Sequence, residues 1–256
     1  MMRLLIAGAA ALALTGCARA ESDEAFGERV RAYLLEHPEV IQEAVERLQA
    51  KQQAGAEASA RAAIQKHRQA LERDPRDFVA NPDGRVTVVE FFDYNCGYCK
   101  VIAPEVLKLI EEHPDVRFVF KEFPIFGGDS NTAAAVALSG PVKPRTLEFY
   151  KAAMTTKPLN DAAIDRVLRS MAIDPATARR SGDSAAVQQH IRDVKALAGE
   201  IGLEGTPAFI VGDTLIPGAD LEALKAAINV AKGGQPGVAP ATPQTADGNA
   251  TALDAS

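Results

Sequence analysis

The chain has 256 residues, a formal net charge of −6, and a composition that is 47% hydrophobic, 24% charged and 5% aromatic. The charged fraction excludes an integral membrane bundle, and the hydrophobic fraction excludes a fully disordered chain. Mild acidity argues against a sequence-independent nucleic-acid binder, which needs a basic face, so we expect no nucleic-acid partner. Three cysteines are too few for a disulfide-stapled scaffold, and their odd number indicates that one has a separate task.

Residues 1–20 are typical of a secretory signal peptide. Arg3 precedes 11 apolar and small residues at positions 4–14, a run too short to span a bilayer. Two processing sites compete. The Leu-Thr-Gly-Cys motif ending at Cys17 resembles a bacterial lipobox, in which that cysteine is lipidated, and Ala-Arg-Ala at positions 18–20 resembles a signal-peptidase site. Both predict export to an oxidising compartment, the periplasm, as a soluble or lipid-anchored protein.

Residues 21–75 predict a helical stalk. Pro38 fits the first turn of a helix, so we expect a short helix to about residue 36 and then a long one. Apolar residues recur at helical spacing and form one stripe, which consists of Val30, Leu34, Ile41, Val45 and Leu48. The stripe favours self-association of the chain, and its packing onto the parent domain is the alternative.

Turn signals at positions 74–75 and 81–84 end the stalk and introduce a different pattern. A β-branched and aromatic run at positions 85–93 predicts a buried strand. An amphipathic helix is predicted at positions 97–112, and a second strand at positions 116–123. This order of strand, helix and strand indicates an α/β domain.

The predicted α/β domain covers residues 76–232. After the second strand, positions 130–202 predict an alanine-rich helical insertion with several breaks. A β-hairpin is predicted at positions 208–216, turning at a Gly-Asp pair, and a last amphipathic helix at positions 221–230. The tail at positions 233–256 is rich in glycine, proline, alanine and threonine, so we expect it to be disordered.

The chemistry is predicted at Cys96-Gly97-Tyr98-Cys99. Two cysteines at this spacing can close a disulfide ring and reopen it. Because a helix N-terminus favours a thiolate, we expect Cys96 to be the exposed nucleophile and Cys99 the buried resolving thiol. Half a zinc site and a structural disulfide are the alternatives, but zinc needs about four ligands and so small a ring gains little loop entropy. We therefore predict no metal and no cofactor.

A second motif, Gly-Thr-Pro-Ala-Phe at positions 205–209, precedes the predicted hairpin. Together with the two cysteines between a strand and a helix, it resembles the thioredoxin superfamily, in which such a proline is cis and faces the dithiol. The resemblance implies that Thr206 and Pro207 belong to the site, and an ordinary trans turn at Pro207 is the alternative.

The helical insertion and the sequence Glu-Phe-Phe-Asp-Tyr-Asn-Cys at positions 90–96 resemble the DsbA family of periplasmic thiol–disulfide oxidoreductases. The implied fold class is α/β: a thioredoxin fold with a helical insertion, preceded by an N-terminal helical oligomerisation segment. The resemblance also implies that Glu90 is a buried acid near Cys99 that exchanges protons with it and has a raised pKa. A strand glutamate that reaches solvent at the sheet end is the alternative.

Residues 28–52 resemble the N-terminal region of the ScsC proteins, the suppressor-of-copper-sensitivity branch of the DsbA family. In that branch such helices mediate the formation of dimers or trimers. The resemblance therefore implies a homo-oligomer held together by the stalk.

The Gly97-Tyr98 pair departs from the Pro-His pair that is typical of DsbA oxidases. Because Tyr98 supplies no positive charge, we expect a less oxidising couple. Cys-Gly-Tyr-Cys and the threonine at Thr206 resemble the DsbC disulfide isomerases. We therefore predict an isomerase or reductase that acts on misfolded or disulfide-containing exported proteins and is kept reduced by a membrane electron donor of the DsbD/ScsB type. The alternatives are a DsbA-like oxidase and a copper-tolerance protein that binds Cu(I) through Cys96 and Cys99.

Overall fold

A computed structural model describes residues 23–233 of the chain. The chain divides into two compact units, Met1–Ala54 and Gly55–Ser256. The predicted signal peptide with Cys17, and the predicted tail after residue 233, lie outside the described residues. Within residues 23–233, no helix is long and apolar enough to cross a membrane.

The described part of the N-terminal unit consists of helix α1 (Asp23–Glu36) and the first half of helix α2 (Glu39–Glu72). The two helices are separated at Pro38, as the sequence predicts. Four residues of the apolar stripe are exposed and Leu34 is half-buried. No residue of the described part of this unit, residues 23–54, is buried, so no core within that part covers the stripe.

The second half of α2 belongs to the C-terminal unit, in which Ile64 and Leu71 are each only 1% exposed. The division between the units at Ala54 and Gly55 therefore lies inside α2, whereas the sequence places the boundary near residue 75. The reason is that these two apolar residues are isolated in a polar helix, so periodicity alone assigns the whole helix to the stalk.

The C-terminal unit is built around a five-stranded sheet with the order β1-β3-β2-β4-β5. Its strands are β1 (Phe78–Ala80), β2 (Val86–Phe92), β3 (Val116–Glu122), β4 (Ala208–Val211) and β5 (Thr214–Pro217). The β2–β3 pair is parallel and the other pairs are antiparallel. The sequence did not predict β1, which has three residues between two turn signals and is held by pairing with the distant β3.

The remaining seven described helices agree with the predicted order. They are α3 (Gly97–Glu112), α4 (Gly128–Ala137), α5 (Thr146–Thr155), α6 (Asp161–Ser170), α7 (Pro175–Gly182), α8 (Ala185–Glu200) and α9 (Leu221–Ala231), with a 3₁₀ turn at Lys143–Arg145. Helices α4 to α8 form the insertion between β3 and β4. Side-chain oxygens begin several of them: Asn160 accepts from the Ala163 N–H, and Asp174 from the Thr177 N–H.

Side chains of β2 and β3 alternate between two cores. On one face, Phe92 and Phe120 pack with α3, α9 and the insertion. On the other face, Phe91 and Val119 pack with α8 and the second half of α2. Because alternate residues share a face, Glu90 lies on the α3 face of the sheet.

Candidate active site

The two cysteines lie where β2 ends and α3 begins. Cys96 is the N-cap residue of α3, and its Sγ accepts a hydrogen bond from the backbone N–H of Cys99 at 3.4 Å. Both cysteines are free thiols. The described residues contain no cluster of three or more histidine, cysteine or acidic side chains that could hold a metal ion. The arrangement is that of a dithiol at a helix N-terminus.

The loop before β4 meets this dithiol. The Thr206–Pro207 peptide bond is cis, as the resemblance implies. The Cys96 thiol donates a hydrogen bond to the Thr206 carbonyl oxygen at 3.1 Å. Two segments 110 residues apart in the chain are thus joined at the sulfur.

Cys96 is more buried than the sequence suggests. It is 2% exposed, and Cys99 is fully buried, whereas Tyr98 between them is 72% exposed. The expectation of an exposed nucleophile is therefore wrong in degree. The Thr206 carbonyl and the first turn of α3 contact the Cys96 sulfur and leave little of the residue open to solvent.

The two thiols have opposite acidities. A hydrogen bond from the Cys99 thiol is the main cause that lowers the pKa of Cys96 to about 6, and backbone N–H groups of Cys99 and Tyr98 add to it against the effect of burial. Burial raises the pKa of Cys99 far above its ordinary value, and its hydrogen bond to Cys96 raises it further. At neutral pH the site therefore holds a Cys96 thiolate beside a Cys99 thiol.

Glu90 is buried on the α3 face of the sheet, with 1% of its surface exposed. Burial raises its pKa to about 8, although the Tyr150 hydroxyl donates a hydrogen bond to its Oε1 at 3.1 Å. Its Oε2 is buried and has no hydrogen-bond partner. The charge of a Cys99 thiolate also raises the pKa of Tyr150. The alternative of a glutamate that reaches solvent is wrong.

A second buried acid, Glu122, was missed by the sequence reasoning. The Tyr94 hydroxyl donates a hydrogen bond to its Oε1 at 2.9 Å, and its Oε2 has no partner. Burial raises the pKa of Glu122 well above its ordinary value, and the charges of Asp93 and Glu90 raise it further. The sequence contains the pattern that predicts this burial. Phe118, Phe120 and Glu122 are alternate residues of β3, so Glu122 lies on the same buried face as the two phenylalanines.

Comparisons with known proteins agree with this geometry. A family model described as a DSBA-like thioredoxin domain matches residues 87–229, and one described as the copper resistance protein ScsC N-terminal domain matches residues 24–54. The chain also matches short stretches of two curated proteins, Na⁺/H⁺ antiporter NhaA 3 of Salinispora tropica (41% identical) and thioredoxin-like 1-3 of Arabidopsis thaliana (38% identical). These matches span 20% and 18% of this chain, and 8% and 18% of those proteins.

Solved structures match over much more of their length. A thioredoxin-like oxidoreductase from Silicibacter pomeroyi is 37% identical with a TM-score of 0.62, covering 66% of this chain and 99% of that one. A linker-deletion mutant of Proteus mirabilis ScsC is 26% identical with a TM-score of 0.62, covering 86% and 99%. A periplasmic thioredoxin-like protein from Salmonella enterica serovar Typhimurium is 31% identical with a TM-score of 0.58, covering 64% and 94%. The chain therefore belongs to the DSBA-like thioredoxin family of thiol–disulfide oxidoreductases.

Proposed function

We propose that the chain exchanges disulfides with client proteins through Cys96, as an isomerase or reductase. The observation that carries the proposal is the asymmetry of the two thiols, with the pKa of Cys96 lowered to about 6 and that of Cys99 raised by burial. A thiolate is the attacking species in disulfide exchange. Cys96 is therefore the nucleophile, and Cys99 is the thiol that acts second.

The reaction proceeds in two exchanges. The Cys96 thiolate attacks a client disulfide, whose S–S bond breaks as a mixed disulfide forms and one client thiolate leaves. In reduction, Cys99 loses its proton to Glu90, of which a minority is ionised at pH 7 because its pKa is about 8. Cys99 then attacks the Cys96 sulfur, which releases the second client thiolate and leaves a Cys96–Cys99 disulfide. In isomerisation, another client thiolate attacks the mixed disulfide and regenerates the Cys96 thiolate, so no net oxidation occurs.

The dipeptide between the cysteines supports an isomerase or reductase rather than an oxidase. Tyr98 carries no positive charge and projects into solvent, so it adds nothing to the stability of the Cys96 thiolate through charge. Reactivation of scrambled ribonuclease by the reduced protein tests the proposal, and a failure to reactivate it would exclude the isomerase. A reduction potential above about −130 mV, near that of DsbA, together with a monomeric chain, favours the alternative of a dithiol oxidase.

Self-association through the apolar stripe is part of this proposal. Four of its five residues are exposed, and the region that matches the ScsC N-terminal model includes all five. Several catalytic units in one assembly raise the effective concentration of dithiols around a misfolded client. The double variant Ile41→Asp/Leu48→Asp should lower the mass measured by light scattering to that of a monomer, whereas the exposed control Gln52→Asp should not. An unchanged mass in the double variant would contradict an assembly through the stripe.

The cellular setting belongs to the same proposal. The signal-like residues 1–20 and the periplasmic relative support export to the periplasm. The clients there are misfolded or disulfide-containing exported proteins, and a membrane electron donor of the DsbD/ScsB type keeps the dithiol reduced. Mass spectrometry of the mature N-terminus distinguishes a lipidated Cys17 from a chain that starts at Glu21. An unprocessed N-terminus and a cytoplasmic location would contradict export.

A further inference from the structure

Asp93 precedes Cys96 by three residues, and the reaction steps above do not use its carboxylate. It is only 2% exposed and accepts four hydrogen bonds. Its Oδ1 accepts from the Asn95 N–H at 2.7 Å and from the Ser130 hydroxyl at 2.8 Å. Its Oδ2 accepts from the N–H groups of Ile125 and Phe126 at 2.7 and 3.0 Å. Four donors offset the cost of burying a carboxylate, so its position is strongly determined.

The backbone of Asp93 contacts Cys96. Its carbonyl oxygen accepts the Cys96 N–H at 3.1 Å. One residue therefore joins the dithiol to the loop that follows β3, in which Ile125 and Phe126 are anchored through their amides.

The side chains of that loop are apolar and uncovered. Ile125 is 39% exposed and Phe126 is 55% exposed, although their backbones are held by a buried carboxylate. Solvent-exposed loops ordinarily carry polar residues and satisfy their amides with water. An apolar pair whose backbone is held by the residue that also accepts the Cys96 N–H is suited to contact another chain that is bonded to Cys96.

We propose that Asp93 is a positioning residue for clients, which holds Ile125 and Phe126 against the apolar residues that flank a client cysteine bonded to Cys96. The inference rests on the disulfide exchange proposed above. The occupant is an extended client segment, because the mixed disulfide brings the residues next to the client cysteine to this edge of the dithiol. Apolar contact there lowers the KM for such clients, and the Asp93 carboxylate maintains the contact by fixing the loop.

The test compares two disulfide-linked peptides that differ by one residue next to the cysteine, phenylalanine or serine. The selectivity is the ratio of their kcat/KM values, and each variant's rate with glutathione disulfide measures its chemical step separately. We expect the wild-type chain to favour the phenylalanine peptide by about 10-fold, mainly through KM. Phe126→Ser, which keeps the anchor and removes the ring, should reduce that ratio to about 1.

Asp93→Ala keeps the apolar side chains and removes the anchor, so it should reduce the ratio at least about threefold. If the alanine variant does not fold, Asp93→Asn replaces it. In either orientation, the side-chain NH₂ group of the asparagine faces backbone N–H donors on one side, so the hydrogen bonds on that side are lost. Asp93→Glu, which keeps the carboxylate, should restore part of the selectivity. Val230→Ser, which removes an exposed apolar side chain from α9, is the matched control and should keep the wild-type ratio.

The outcomes separate the two claims. A wild-type chain that reacts with both peptides at equal kcat/KM overturns the inference and leaves disulfide exchange intact. A ratio that Phe126→Ser lowers and the Asp93 variants do not overturns the role of Asp93. A wild-type chain that reacts with neither peptide nor glutathione disulfide contradicts the proposed function itself.

Discussion

Lys121 and Glu122 are neighbours in β3, and their side chains are buried on opposite faces of the sheet. Lys121 is buried with a partner of opposite charge, and Glu122 is buried without one. The Lys121 Nζ donates hydrogen bonds to the Asp77 carboxylate and to the Ala70 carbonyl oxygen, the latter at 2.6 Å. His190 Nε2 lies 2.9 Å from the same carboxylate. The lysine cation on this face is therefore paired, and its hydrogen bonds connect α2 and the residue before β1 to the sheet, whereas Asp77 Oδ1 and both ring nitrogens of His190 have no hydrogen-bond partner.

The α3 face buries acids without cations. Glu90 and Glu122 each receive one tyrosine hydrogen bond, and each keeps one buried oxygen that has no partner. Burial raises the pKa of Glu90 to about 8, and that of Glu122 is also raised. The carboxyl group of Glu90 can therefore change protonation near neutral pH.

Burial of charge alone therefore does not identify the side of the sheet on which the chemistry occurs. On the α2 face, a buried lysine is paired with a buried carboxylate, which favours a fixed structure. On the α3 face, Glu90 and Glu122 are buried without a cation and lie on the same side of the sheet as the dithiol. We therefore expect substitutions on the α2 face to change stability and those on the α3 face to change acidity and redox behaviour.

The largest stability effect is expected from Lys121→Met, which leaves the Asp77 carboxylate buried without its cation. Breaking one partner of a buried ion pair costs about 3–5 kcal/mol, so urea unfolding should show a loss of that size in the free energy of unfolding. Lys66→Met is the control, because Lys66 pairs with Glu200 at 3.5 Å on the surface and should cost less than ~1 kcal/mol. Equal losses in the two variants would contradict the distinction.

Glu90→Gln should stabilise the protein in a pH-dependent way. Since burial raises the pKa from 4.5 to about 8, the folded chain holds a proton that the unfolded chain releases, and wild-type stability falls as the pH rises through this window. The glutamine still accepts the Tyr150 hydrogen bond. The variant should match the wild type at pH 4 and exceed it by about 3 kcal/mol at pH 7 in denaturant unfolding.

Glu111→Gln on the exposed end of α3 is the control for that experiment. Its stability should follow the wild-type curve at every pH. If the Glu90→Gln curve ran parallel to the wild-type curve, Glu90 would not carry a raised pKa in the folded protein.

A smaller effect is expected at the exposed dipeptide. Tyr98→His places an ionisable cation beside the Cys96 thiolate, which should stabilise the dithiol form and raise the reduction potential by about 30 mV, equivalent to about 1.4 kcal/mol for two electrons. Equilibration with glutathione buffers measures this shift. Tyr98→Phe should leave the potential unchanged, and a histidine variant with the same potential would show that charge at this position does not set the couple.

Local signals predicted the features nearest the dithiol. The Cys-Gly-Tyr-Cys motif and the preceding strand predicted the start of α3 at Gly97, because a helix start is determined by neighbouring residues. The motif around Pro207 implied the cis bond, and a Gly-Asp pair predicted the turn between β4 and β5. The fold class follows from these elements and is confirmed by the family match.

Features that depend on distant residues were not predicted. The short β1 forms because it pairs with β3. Ile64 is buried because it packs against the face of the sheet that carries Phe91 and Val119. Asp93 is one acid among many in the sequence, and its role is visible only when the loop after β3 lies next to it. Three-dimensional proximity decides these features, so spacing along the chain did not reveal them.

The proposed chemistry requires that Cys96 is a thiolate at neutral pH while Cys99 is a thiol. Titration of the reduced protein, followed by thiolate absorbance near ~240 nm, tests it directly. We predict one thiolate with a midpoint near pH 6, its loss in Cys96→Ser, and no second thiolate below about pH 10, because burial raises the pKa of Cys99. A midpoint near the ordinary cysteine value of about 8.5, or a low midpoint that survives in Cys96→Ser, would contradict the account.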